Sequence, residues 1–147
     1  MLHLRRATES DIDTLYHWAN NPEVRKNSFN TDHIPYDTHK KWFSNMMKDE
    51  NVVQYILEDE GVAIGQIRIN INENIAEIGY SISSEFRSQG YGRKMLKLVV
   101  SEIKENYPEV IQLIAKVKPE NIASNKLFES EGYEMVYSCY KLELNRN

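Results

Sequence analysis

A single cysteine, Cys139, rules out an internal disulfide framework and a cysteine-based zinc site. No apolar run is long enough to cross a bilayer. The opening Met1-Leu2-His3-Leu4-Arg5-Arg6 places charges where a secretory signal needs its apolar core. Repeats, low-complexity tracts and linker-like stretches are missing, so residues 1–147 read as one domain. An excess of basic charge is missing too. The net charge is −4 with both signs interspersed, which argues against a general nucleic-acid binder. What remains is globular: 41% hydrophobic and 27% charged residues suffice for one core. The expectation is a cytoplasmic protein with neither membrane nor nucleic-acid partner and no metal.

Periodicity gives the elements. Leu2 to Arg6 reads as a strand. Ser10 is placed as the N-cap of a helix whose Ile12, Leu15, Tyr16 and Ala19 share one face, and Asn20-Asn21-Pro22 ends it. A short helical piece follows from Glu23. Asp37 is placed as a second cap, before His39, Trp42, Phe43, Met46 and Met47 at helical spacing. Val52 to Leu57, Ala63 to Ile71 and Ile75 to Ser83 are rich in β-branched residues and separated by short turns, which predicts an antiparallel meander. A helix from Gly92 to Tyr107, a strand from Ile111 to Val117, a helix from Glu120 to Glu131 and a last strand from Tyr133 to Leu144 complete the chain. The order β-α-α-β-β-β-α-β-α-β predicts an α/β (α+β) fold: a central mixed sheet of six to seven strands flanked by helices.

One turn carries chemistry. The strand ending at Ile82 and Ser83 passes through Arg87-Ser88-Gln89-Gly90-Tyr91-Gly92 directly into an amphipathic helix. Glycine lets a ligand approach the backbone, and the free amides at a helix start, with the positive end of its dipole, attract anions. A phosphate-bearing ligand follows. The dinucleotide fingerprint needs a third glycine where Met95 stands, and a P-loop needs Gly-Lys-Ser/Thr where the chain has Gly92-Arg93-Lys94.

A second block, Asn121-Ile122-Ala123-Ser124 through Phe128 to Gly132-Tyr133, again passes from strand into helix. With both blocks in this order and context, the chain resembles the GCN5-related N-acetyltransferase (GNAT) superfamily. The resemblance covers essentially the whole chain. It implies acetyl-CoA as cosubstrate, held by Ile82, Arg87, Ser88, Gln89, Gly90, Tyr91, Gly92 and Arg93, with Asn121 and Phe128 further along the cofactor. The strand ending at Ile82 and Ser83 would splay from the strand carrying Ala115 and Val117 to admit the pantetheine arm. Glu77 is the expected general base, since an amine must be neutral to attack. Gly79 is expected to mark a β-bulge whose N–H faces the thioester carbonyl. Phe128 stands where the family usually has the tyrosine that protonates the leaving thiolate, and Tyr133, Tyr137 and Tyr140 are the substitutes considered.

The stretches Trp18-Ala19-Asn20-Asn21-Pro22-Glu23-Val24-Arg25 and His39-Lys40-Lys41-Trp42-Phe43 are similar to those of acetyltransferases acting on nucleotide-linked amino sugars. Part of the pattern is shared with ribosomal-protein N-terminal acetyltransferases. The implied acceptor is a small-molecule amine, with a UDP-amino sugar favoured. A protein N-terminus and a non-catalytic acetyl-CoA-binding domain are the alternatives. The resemblance also allows a homodimer.

Overall fold

In a computed structural model, which describes residues 1–136 and Leu142, the β-branched runs pair as the turn residues between them dictate. Strands β1 (His3–Arg6), β2 (Val52–Asp59), β3 (Val62–Asn72), β4 (Ile75–Ile82) and β5 (Gln112–Ile114) lie in the order β1-β2-β3-β4-β5. The first four are antiparallel to their neighbours, and β5 joins β4 in parallel. Helices α1 (Ile12–Ala19), α2 (Pro22–Asn27) and α3 (Tyr36–Lys48) come between β1 and β2. Helix α4 (Tyr91–Asn106) connects β4 to β5, and α5 (Ile122–Ser130) follows β5. The mixed α/β expectation holds, with five strands among the described residues rather than six to seven. The expected last strand falls mostly outside them, and its first four residues, 133–136, are not in a strand. Tyr137, Cys139 and Tyr140 also lie outside the described residues.

Alternation along the strands sorts the core into two layers. Val53, Tyr55, Leu57, Ile67, Ile69 and Ile78 turn to one face, against Met95, Leu96, Val99 and Ile103 of α4 and Phe128 of α5. Each fully buried aliphatic side chain here contributes roughly 1.5–3 kcal/mol. Ile56 turns to the other face, where it meets Ala7, Leu15 of α1, and Phe43 and Met46 of α3. That second face becomes polar toward β4. Gln54 donates to Gln66 (2.7 Å), and Gln66 donates to Ser81 (3.1 Å), in a ladder that crosses three strands. Among the described residues, no helix is long and apolar enough to cross a membrane.

Two caps differ from expectation. Ser10 lies inside a short 3₁₀ turn, Glu9–Asp11, whose cap is Thr8. The Asp11 carboxylate accepts from the Thr8 N–H at 2.7 Å, which Ser10 is too late in the turn to do. Helix α3 starts one residue before Asp37 because Pro35, with φ −64°, presets the backbone. Asn21 caps α2 through the Glu23 N–H, with Pro22 at the first helical position.

Asp11 also anchors the helical layer to the sheet. Arg5 of β1 donates to both its oxygens, at 2.8 and 2.9 Å, and its side chain is only 8% exposed. Arg5, assisted by Thr8, holds the Asp11 carboxyl below the ordinary carboxylate range against the cost of burial. A carboxyl with a depressed folded value stabilises the fold above its unfolded value, and that share is lost as pH falls through the folded one. Asp11→Asn should therefore cost ~2 kcal/mol at neutral pH, with the difference from wild type closing in acid. Denaturant midpoints measured from pH 7 to pH 2 would show it, and parallel curves would exclude the pair.

Candidate functional site

Strand β4 builds the site by losing a neighbour halfway along. Its register with β5 runs Ile75–Gln112, Ala76–Leu113 and Glu77–Ile114, and ends there. Beyond Glu77 the two chains separate, and Ala115, Lys116 and Val117 form the far wall of a cavity of about 750 Å³ that opens between them. The expected splay is present. The Ser83 N–H donates to Ile64 O at 2.8 Å, and the register from Gly65–Ile82 back to Arg68–Gly79 is unshifted. Counting back along it makes Arg68–Gly79 a hydrogen-bonded pair. The Gly79 N–H thus faces β3, and the backbone groups of Ile78, Tyr80 and Ile82 face the opening.

The bulge expected at Gly79 is absent. β3 and β4 pair one residue to one there, and the sheet opens by ending β5 early instead. The only register shift between β2 and β3 lies at Leu57/Glu58, away from the opening.

The turn after β4 enters α4 through two left-handed residues. Gly90 caps α4 with φ 83°, and Ser88 is also left-handed, with φ 61°. A non-glycine residue held there costs about 1 kcal/mol or more, a strain typical of ligand loops. The first backbone bond of the helix is Lys94 N–H to Gly90 O, at 3.3 Å. The amides of Tyr91, Gly92 and Arg93 therefore have no acceptor within the helix, and these three residues line the cavity at the positive end of a 16-residue helix. Nothing lies within 4 Å of where a Cβ on Gly90 would stand. These features fit a coenzyme A pyrophosphate.

The expected cofactor residues converge. Ile82, Arg87, Ser88, Gly90, Tyr91, Gly92, Arg93, Asn121 and Phe128 all line the one cavity, as does Glu77. Gln89 does not; its side-chain amide turns back to Glu85 O at 3.3 Å. Arg87 spends its guanidinium on protein acceptors: Ile82 O at 3.1 Å and the α2 cap Asn21 Oδ1 at 3.1 Å. It thereby ties the phosphate turn to β4 and to α2. Asn121 caps α5 through the Ser124 N–H, at 3.3 Å. Glu77 stands at the point where β4 and β5 part, with Lys116 Nζ 3.2 Å from its carboxylate.

Two features were missed in the sequence. The first is Tyr80 of β4, which lines the cavity and shares a 2.7 Å hydrogen bond with Ser124 of α5. Burial pushes its phenol above the ordinary tyrosine value, with Ser124 opposing. Phe128 packs edge-on against it, with centroids 5.8 Å apart. Tyr133 lies behind Phe128, its buried hydroxyl without a partner among the described residues and outside the cavity lining. A tyrosine on an otherwise inward-facing, aliphatic strand position was the available signal. The second is Arg68 of β3, whose guanidinium carbon lies 5.2 Å from the centre of the Trp42 ring.

A strand edge opened beside a parallel neighbour, leading from a glycine turn at a helix start to a carboxylate, fits an acyl-coenzyme-A-dependent transferase. Residues 1–134 match the acetyltransferase (GNAT) domain family, and the chain belongs to it. The Bacillus subtilis N-acetyltransferase YfmK is 22% identical over 127 residues, covering 86% of this chain and 81% of that protein. The Campylobacter jejuni acetyltransferase PseH is 23% identical over 155 residues, covering 96% and 94%. Among solved structures, spermidine N-acetyltransferase from Vibrio cholerae in complex with CoA and spermine superposes with a TM-score of 0.85 at 19% identity, covering 98% of this chain and 88% of that one. The protein is an N-acetyltransferase with acetyl-CoA as its cosubstrate.

Proposed function

We propose that this enzyme moves the acetyl group to the primary amine of a small acceptor, with a nucleotide-linked amino sugar as the preferred class. The observation that carries the reading is one continuous cavity from the phosphate turn, past the open edge of β4 and Glu77, to α2 and Phe29. The two stretches similar to amino-sugar acetyltransferases meet on its acceptor side: Glu23 and Val24 line it, and Trp42 backs Arg68.

The chain's own groups take defined parts. Tyr91, Gly92 and Arg93 amides hold the pyrophosphate, and the β4 edge beyond Glu77 orders the pantetheine arm. Bound acetyl-CoA supplies an acetyl group already activated as a thioester. Glu77, through its carboxylate, accepts the proton that the acceptor ammonium must lose. Tyr80, with Ser124 behind it, is the tyrosine that both packs against Phe128 and lines the cavity, and it takes the part of proton donor to the leaving thiolate.

Release of coenzyme A thiol from acetyl-CoA tests this, with UDP-amino sugars, polyamines, amino acids and N-terminal peptides as acceptors. UDP-amino sugars should give the highest kcat/KM. Tyr80→Phe should lower kcat at least tenfold with KM for acetyl-CoA unchanged. Preference for peptides would replace the acceptor assignment. Thermal stabilisation by acetyl-CoA without thiol release from any amine would indicate a binding domain.

A further inference from the structure

Arg68 stands out among the cavity's basic residues because its guanidinium has no hydrogen-bond or ion-pair partner among the described residues. Arg87 donates to Ile82 O and Asn21, Arg93 lies 3.5 Å from Glu131, and Lys116 is paired with Glu77. Arg68 makes no hydrogen bond or ion pair among the described residues, although it lines the cavity and is half-buried. Its contact is with Trp42, whose ring covers the guanidinium. Trp42 is itself held by His39, at 5.5 Å between centroids, and His39 is buried with its Nε2–H donated to Ile12 O at 2.9 Å. A guanidinium covered by an aromatic ring keeps its in-plane N–H donors for a partner, and those donors match a carboxylate or phosphate two at a time.

Space for that partner lies beside it. The register places Arg68 opposite Gly79, and nothing lies within 4 Å of a Cβ built on Gly79. Two residues along β4, on the same face, is Glu77. Positions diagonal across an antiparallel pair lie about 7–8 Å apart, within the reach of one small molecule. Desolvation in this setting pushes Arg68 below the ordinary arginine value, with only the field of Glu77 opposing it. A cation left so exposed to burial without a counter-charge serves binding better than stability.

We infer that Arg68, backed by Trp42, binds a carboxylate or phosphate of the acceptor while Glu77 faces its amine, so that the substrate carries both groups. This rests on the reading that the β4 side of the cavity receives the acceptor. It goes further by naming the residue that selects the substrate class and by excluding plain polyamines as preferred acceptors.

The test is calorimetric binding to the coenzyme A complex, which needs no turnover, using matched probes. They are UDP-glucosamine and glucosamine 6-phosphate against glucosamine, and 4-aminobutyrate against its amide. At least one anionic probe should bind tenfold or more tighter than its neutral mate. Arg68→Gln should erase that preference, Arg68→Lys should keep part of it, and neither should weaken the neutral mates. Arg68→Met should leave the ligand-free melting temperature unchanged or raise it, which a structural arginine would not do. Absence of anionic preference in all three pairs overturns the assignment, as does equal loss on both members of a pair. Thiol release with spermidine or glucosamine in that case leaves the acetyltransferase reading standing. Arg68-dependent binding of 4-aminobutyrate alone would keep this inference and remove the nucleotide-sugar acceptor.

Discussion

Gly90→Glu is expected to weaken coenzyme A binding by at least ~100-fold while leaving the sheet intact. Two costs arise. The residue caps α4 at φ 83°, where a side chain is strained by about 1–2 kcal/mol. The new carboxylate would then stand beside the anion site, and two like charges about 5 Å apart at an effective dielectric near 20 repel by about 3 kcal/mol. The strain is met in the free and the bound protein alike and lowers stability, whereas the repulsion of about 3 kcal/mol falls on binding and is roughly a hundredfold in affinity. Open space around the Cβ position means that the fold need not rearrange to admit the side chain. Gly90→Asn separates the two terms, because asparagine tolerates the left-handed region and carries no charge. It should retain most of the affinity. Calorimetric titration with coenzyme A is the measurement, and Gly90→Glu binding as tightly as wild type would displace the pyrophosphate from this turn.

Glu77→Gln should lower kcat/KM by ~10²–10⁴ at neutral pH, with the deficit shrinking as pH rises. An amine with a pKa near 10.4 must lose a proton before attack, which costs about 4–5 kcal/mol at pH 7 and nothing well above pH 10. A base is therefore needed most where the amine is most protonated. The ordinary role for Glu77 is its ion pair with Lys116, and the side chains are 37% and 56% exposed. Pairs this open contribute about 0–1 kcal/mol. Removing the carboxylate should thus barely move the melting temperature, so a large effect on rate has to come from chemistry. A pH–rate profile parallel to wild type would return Glu77 to the role of a strand-end ion pair.

The candidate site was legible wherever it depends on neighbours in the chain. Gly90 and Gly92 between an alternating run and an amphipathic one mark a strand, a tight turn and a helix N-terminus, because each signal is local. The meander from Val52 to Ile82 could be read for the same reason: Glu58-Asp59-Glu60-Gly61 and Asn72-Glu73-Asn74 are turn sequences, and the strands lie on either side. The cap at Ser10 misread a local competition, since Thr8 and Asp11 three residues apart satisfy each other first. The bulge at Gly79 was a different kind of error. A glycine in a strand signals either a bulge or open space, and here it is the open space facing Arg68.

Amino-acid order alone determined the order of elements through α5 and the glycine turn that opens α4, because side-chain period and backbone preference act over a few residues. Which side chains meet in the cleft was decided only by the tertiary structure. Tyr80 reaches Ser124 across 44 residues, and Arg87 reaches Asn21 across 66. Arg68 stands over Trp42 because the sheet register and the seat of α3 put them on one face. A slip of one residue in β3 would send Arg68 to the opposite, apolar layer. Turn geometry and alternation fix the register inside the meander, but no local pattern tells that α3 will seat Trp42 against that face.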